Sequence, residues 1–368
     1  MTVRILNGDC RDVLATLPAE SVHCVVTSPP YWGLRDYGVA GQIGLESTYQ
    51  DFVEQTVAVF REVRRVLRAD GTLWLNLGDS YFAGHGGSTT EGNYIPKVDR
   101  DRPANPRARP ELENSPAGWA ERDVTPKRIT AGCKPKDLMG IPWRVALALQ
   151  EDGWWLRQDI IWSKPNPMPE SVTDRCTKAH EYLFLLSKSA RYYYDAEAIR
   201  EDMKAESVAR YNYAFGGAKS EQLTAEEAAG PGSRTHPIGM RKVKIPGGWD
   251  TGAGAHGTIH REGRTEAEYV EAEPKPGRNK RSVWEVATAP FPEAHFATFP
   301  PALIEPCILA GCPKGGTVLD PFGGAGTTGL VADRLQRSAI LIELNPVYAD
   351  MARKRIVGDS PLFVEAAE

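Results

Sequence analysis

The hexapeptide Val22-His23-Cys24-Val25-Val26-Thr27 constrains the fold of this chain more than any other stretch. It is apolar or β-branched at nearly every position, so neither face is suited to water. A strand of that kind belongs in a parallel sheet covered on both sides. Ser28-Pro29-Pro30 stops it, because two successive prolines offer no N–H to a ladder. Further apolar runs occur at residues 4–7, 72–77, 155–162, 181–187, 317–319 and 338–342. Helical spacing intervenes over 12–17, 141–153, Thr327–Arg334 and 347–357. It is clearest over 49–67, where Phe52, Thr56, Val59, Phe60, Val63, Val66 and Leu67 form one stripe. Strands alternating with helices predict an α/β, doubly wound, mostly parallel sheet.

Two polar segments interrupt that pattern. Residues 84–136 carry seven prolines and ten basic against seven acidic side chains, which reads as a surface insertion. Residues 196–281 are Gly-rich and polar. Within them, over 231–264, Arg234, Arg241, Lys242, Lys244, Arg261 and Arg264 outnumber Asp250 and Glu262, a local excess of four positive charges and a candidate phosphate-binding surface. The alternative for that group is a solvated loop. The α/β pattern then covers 1–83, 137–195 and 282–358, with 359–368 as a tail.

The net charge of -4 excludes a generally polybasic coat, though not a local basic face. No run approaches the roughly 18 apolar residues of a membrane span, and no signal peptide is expected. The six cysteines form no CxxC pair, which suggests reduced thiols and a cytoplasmic setting. Without a Cys/His cluster no metal site is expected.

Two motifs carry chemistry. Asp320-Pro321-Phe322-Gly323-Gly324-Ala325-Gly326-Thr327-Thr328 follows a strand and opens a helix, so its glycines admit a ligand close to free helix N–H groups. The acidic Asp320 suits an ammonium better than a pyrophosphate. Glu343 ends the next strand, where such folds place a ribose-binding acid. Ser28-Pro29-Pro30-Tyr31-Trp32 ends the hexapeptide strand with carbonyl and hydroxyl acceptors beside flat rings. That combination suits a planar heterocycle with an exocyclic amine. A tight turn and a proline turn beside core aromatics are the structural alternatives for the two motifs.

Together these motifs resemble the S-adenosylmethionine-dependent DNA amino-methyltransferases, which act on cytosine N4 or adenine N6. The catalytic motif precedes the cofactor loop, the permuted order of the family's β group, and the resemblance implies its Rossmann-like methyltransferase fold. It also covers Asn7-Gly8-Asp9-Cys10, His295-Phe296-Ala297-Thr298-Phe299-Pro300 and Trp162-Ser163-Lys164-Pro165 through Arg175, His180 and Glu181. It implies that Ser28, Pro29, Pro30 and Tyr31 are catalytic, with Tyr31 stacking on a flipped base and Trp32 supporting the pocket. It implies cofactor binding by Asp9, Cys10, Thr298, Phe299, Asp320, Phe322, Gly323, Gly324, Gly326, Thr327, Thr328, Glu343 and Asn345. Asp320 would take the ammonium, Glu343 the ribose and Asp9 the adenine amine. Residues 196–281 would be the target-recognition region, duplex DNA the partner, and a cognate restriction endonuclease a companion on the same site.

Family members with Ser before Pro-Pro-Tyr are mostly cytosine N4 enzymes, so Ser28 favours cytosine N4, with adenine N6 as the alternative. RNA or protein amine methylation, an NAD-dependent oxidoreductase and a non-enzymatic DNA-binding protein are the more distant readings. The loop does not fit GxGxxG, and no helix-turn-helix is evident. Asp79 either lines the pocket or caps the following turn. Arg175, His180 and Glu181 either orient the base or form a salt-bridged network. Tyr192, Tyr193 and Tyr194 are read as core, and His85 as solvated.

Overall fold

The structure is a computed structural model and describes residues 1–82, 133–134, 136–202, 242–244, 269–271, 277–289 and 298–359. The elements run β1 (Val3–Asn7), α1 (Cys10–Thr16), β2 (Val22–Thr27), α2 (Tyr49–Val66), β3 (Leu67–Leu77), α3 (Ile141–Glu151), β4 (Trp155–Ser163) and β5 (His180–Ser187). They continue with β6 (Lys242–Lys244), β7 (Tyr269–Glu271), β8 (Val283–Glu285), α4 (Pro301–Gly311), β9 (Thr317–Asp320), α5 (Thr327–Arg334), β10 (Ser338–Glu343) and α6 (Pro346–Asp359).

One eight-stranded sheet has the order β1-β10-β9-β2-β3-β5-β4-β8. Every neighbouring pair is parallel except those made by β5, which is antiparallel to both β3 and β4. The expected mostly parallel, doubly wound sheet is therefore what the chain forms. Its two faces follow the period-2 alternation of the strands. On one, Val25, Leu73, Leu75, Leu77 and Leu319 join Leu14 of α1, Phe52, Phe60 and Val63 of α2 and Val145 and Leu149 of α3 in a single core. On the other, α4 lies so close that a Cβ on Gly311 would meet Thr72 Oγ1, Trp74 Nε1 and Cys24 Sγ within 2.9 Å. The apolar stripe foreseen for α2 is buried throughout.

Local rules explain most element ends. Asp9 caps α1 by accepting the Arg11 N–H, which starts that helix two residues before the expected Asp12. Thr48 caps α2 by accepting the Asp51 N–H. β3 begins at Leu67 rather than Thr72 and runs through Gly71, whose missing Cβ leaves room for the His23 carbonyl. No described helix is long and apolar enough to cross a membrane.

The chain divides into two compact units, Met1–Tyr192 with Ser282–Glu368, and Tyr193–Arg281. The second begins three residues before the expected boundary. In it, β6 and β7 pair antiparallel, and Glu201 exchanges backbone hydrogen bonds with Arg278 while its carboxylate accepts the Arg278 and Arg281 side chains.

Candidate active site

Strands β9 and β2 are parallel neighbours, and the chain proceeds from them in opposite directions across the sheet. A crevice forms at such a switch point, beyond the carboxyl ends of the strands. Both sequence motifs lie there, one leaving β9 and the other β2.

Asp320 ends β9 and is 1% exposed. Its Oδ1 accepts the Thr27 hydroxyl at 2.6 Å and the Phe322 N–H at 3.0 Å, and its Oδ2 accepts the Thr328 hydroxyl at 2.6 Å. Burial pushes this carboxyl up to about 6, against the pull of those donors. Asp320 thus lies beneath the loop and holds the start of α5 against the end of β2, the position from which the expected contact with a ligand ammonium would be made. Thr327 and Thr328, expected as cofactor contacts, are buried as well, Thr327 accepting from Arg355 and Thr328 donating to Asp320.

Above them the loop is open at Phe322 and Gly324, while Gly323 and Gly326 are buried. Gly326 has φ +76°, and a Cβ there would stand 2.8 Å from Ala352 Cβ in α6, so only glycine fits. Glu343 ends β10 half-buried. Its two oxygens accept the Gly324 and Asn345 N–H groups, both at 2.8 Å, and burial raises its carboxyl, reinforced by nearby Asp320. Asn345 Oδ1 accepts the Val347 N–H at the start of α6. Gly8 N–H and Asn7 Nδ2 donate to the Glu343 carbonyl, which joins the end of β1 to this corner.

Asp9 pairs with the Arg11 guanidinium, which holds its carboxyl below the ordinary range, and Arg11 also donates to the Gly41 carbonyl at 2.8 Å. Cys10 is buried, and its thiol is pushed up to about 12, so it offers no reactive thiolate. Thr298 and Phe299 directly precede α4, whose far end, Gly311, packs on Thr72 and Cys24. An 11-residue helix rises about 16 Å, so they begin it near the carboxyl edge. His295, Phe296 and Ala297 lie outside the described residues, as do His85, Arg234, Arg241, Arg261 and Arg264. Lys242 and Lys244 are placed on β6.

On the β2 side, Ser28 and Pro30 are partly open and Pro29 is buried. Tyr31 lies against Gly78, where an added Cβ would run into the ring. Its hydroxyl donates to Glu181 Oε2 at 2.7 Å, lies 3.2 Å from Asn76 Oδ1 and is reached by the Ser28 hydroxyl at 3.5 Å. Burial and the Glu181 charge raise the phenol well above its ordinary value, so it stays protonated. Trp32 is 2% exposed, donates to the Glu46 carbonyl and meets Tyr49 edge-on. It is a core residue under the motif rather than a surface for a base.

Asp79 is a cap: its oxygens accept the Gly140 and Ile141 N–H groups at the start of α3. Arg175 pairs with Glu170 and stacks on Tyr81. Sequence reasoning missed Asn76, Gly78, Arg11 and Tyr37, whose ring packs edge-on against Tyr348. Asn76, Gly78 and Tyr37 meet partners far apart in the chain, whereas Arg11 pairs locally with Asp9.

The arrangement suits a cationic ligand. Glu343 sits at a half-open strand end, two carboxyls are raised by burial, and Gly324 and Phe322 border the opening. A positive ligand there would relieve both acids.

A family model described as DNA methylase, of the N6/N4 methyltransferases, matches residues 22–354. The type II methyltransferase M.Cfr9I of Citrobacter freundii is 42% identical over 363 residues, covering 99% of this chain and 90% of that protein. M.SmaI of Serratia marcescens is 42% identical over 354 residues, covering 96% and 90%. Among solved structures, a DNA modification methylase of Thermus thermophilus complexed with S-adenosyl-L-methionine has 22% identity and TM-score 0.52, covering 100% of this chain and 99% of that one. The PvuII DNA methyltransferase, described as cytosine-N4-specific, has 16% identity and TM-score 0.54, covering 100% and 90%.

Proposed function

The chain belongs to the N6/N4 DNA methylase family and is an S-adenosylmethionine-dependent DNA methyltransferase, and we propose that its target atom is the N4 amine of a cytosine flipped from duplex DNA. The observation that carries this reading is Ser28 as the partly open hydroxyl at the end of β2, one residue from the Thr27–Asp320 bond that joins the catalytic motif to the cofactor loop. Adenine N6 remains the alternative, because the same acceptors serve either amine.

S-adenosylmethionine supplies an electrophilic methyl group on its sulfonium. The chain's residues hold and polarise the amine. An aryl amine is a weak nucleophile, since its lone pair is delocalised into the ring. In the proposed mechanism the Ser28 hydroxyl and the Pro29 carbonyl accept its two N–H bonds, which favours a tetrahedral nitrogen with a localised lone pair. Pro30 stiffens that corner and Tyr31 supplies the stacking face. Glu343 would receive ribose hydroxyls, Gly323, Gly324 and Phe322 would line the cofactor loop, Asp9 would meet the adenine amine, and Thr298, Phe299 and Asn345 would border the same opening. Asp320, Gly326, Thr327, Thr328 and Cys10 would shape it from beneath. Catalysis is then positioning and charge placement, with no covalent enzyme intermediate.

Residues 193–281 are the proposed target-recognition unit, 84–136 a surface insertion, and Arg234, Arg241, Lys242, Lys244, Arg261 and Arg264 the proposed phosphate contacts. The type II relatives suggest a bacterial cytoplasmic setting and a cognate endonuclease. Modification-sensitive sequencing of DNA from cells expressing the protein is expected to show N4-methylcytosine at one short site. Ser28→Ala and Tyr31→Ala should each abolish it. N6-methyladenine would move the target to the alternative, and label confined to RNA or protein would overturn the DNA substrate.

A further inference from the structure

We infer that Glu181 is a positioning residue that sets the direction of a hydroxyl chain, Glu181–Tyr31–Ser28, so that Ser28 faces the target amine as an acceptor. The inference rests on the proposed roles of Ser28 and Tyr31.

Glu181 opens the active-site end of β5 and is paired in register with Trp162 of β4. Its Oε1 accepts Lys164 Nζ at 2.5 Å, and its Oε2 accepts Tyr31 Oη at 2.7 Å and Asn76 Nδ2 at 3.2 Å. The side chains of Lys164 and Glu181 are only 20% and 15% exposed, which shields the pair from water. Lys164 is itself held over the Trp162 ring, 4.5 Å from its centroid. An ionised carboxylate accepts and never donates. The Tyr31 proton therefore points to Glu181, the nearer and charged of its two acceptors.

Direction then propagates. With its one proton committed to Glu181 rather than to Asn76 Oδ1, the Tyr31 oxygen has only lone pairs for the one hydroxyl beside it, that of Ser28 3.5 Å away. Ser28 points its proton at Tyr31, and its lone pairs face outward. An amine that must lose N–H density needs that orientation. The same anchor fixes the Tyr31 ring against Gly78, so one carboxylate sets both the stacking plane and the hydroxyl polarity. A neutral amide in place of this carboxylate offers both a donor and an acceptor, and would let the chain run either way.

The test is a double-mutant cycle of Glu181→Gln and Tyr31→Phe, read as kcat with a cognate duplex, cofactor Kd by calorimetry and urea unfolding. Glu181→Gln in the otherwise unchanged protein should lower kcat about tenfold or more and leave cofactor Kd within about twofold. In the Tyr31→Phe background, where no hydroxyl remains to direct, it should cost less than about twofold further. The unfolding cycle should show the same coupling. Lys164→Met, which leaves the Glu181–Tyr31 bond but removes its counter-charge, should fall between. A Glu181→Gln penalty of equal size in both backgrounds would overturn the inference, since that is what a merely structural glutamate gives. If the wild-type protein labels no DNA, the substrate reading fails instead, and uncoupled unfolding energies would independently overturn the hydroxyl chain.

Discussion

Asp320 is anionic in the sequence and nearly without solvent in the structure, and that contrast makes it sensitive to pH. Burial raises its carboxyl from the ordinary 3.8 to about 6. Between those values the folded protein keeps a proton that the unfolded chain has lost. The contribution of this residue to stability is therefore greatest below about pH 4 and declines as pH rises to about 6. A cationic ligand beside Asp320 and Glu343 acts in the opposite sense, because it favours their ionised forms. Cofactor binding near pH 5.5 should accordingly release protons, and affinity should weaken as pH falls through about 6. Calorimetry at about pH 5.5 in two buffers of different ionisation heat measures the release; Asp320→Asn should reduce it, and release independent of that substitution would sink the assignment. Asp320, Thr328 and Trp32 were legible as members of motifs, but not as buried ones. Local spacing identifies a motif, whereas the depth of each side chain depends on elements that close over it from elsewhere in the chain.

At the scale of elements, the Tyr31 ring rests on the end of β3 through Gly78. Gly78→Ala would put a methyl group into the ring, and overpacking of this kind costs about 1–3 kcal/mol. The ring would move before the strand does, since β3 is paired on both sides. We expect a tenfold or greater loss of kcat with cofactor affinity retained, because misplacement of about 1 Å at a reacting pair can cost about a hundredfold. Equal losses in kcat and cofactor binding would indicate general damage to the sheet instead. Most strands were legible from apolar runs, and α2 from its stripe. The antiparallel direction of β5 was not, because a run buried on both faces looks the same whichever way it points. The span of α4 was not read from residue spacing, although the resemblance made 295–300 a helix entry; Pro301 occupies its opening turn, where a missing N–H is tolerated. Lys164 and Glu181 were visible in the segment resembling the later core motifs, but their pairing with each other needs the register of β4 on β5, and the Glu181–Tyr31 bond needs β5 beside β3.

For the whole molecule, the net charge of -4 has to be reconciled with a polyanionic substrate. The average includes Asp9, Asp320 and Glu343, which belong to the proposed cofactor corner, and it conceals the excess of four positive charges over residues 231–264. Those cations fall within the sequence span of the second compact unit, Tyr193–Arg281, separate from the span that supplies the cofactor corner. A chain built this way should bind DNA through a few local phosphate contacts, each releasing a counterion, so that log K falls by about 0.9 per contact for each unit of log salt. Replacing Arg234, Arg241, Lys242 and Lys244 together by Ala should flatten that slope by about 3 to 4 and weaken binding to cognate and random duplexes alike. Cofactor affinity should not change. Fluorescence anisotropy across a salt series gives both slopes directly. An unchanged slope would remove these residues from the interface, and a loss confined to the cognate duplex would show that they read bases rather than phosphates.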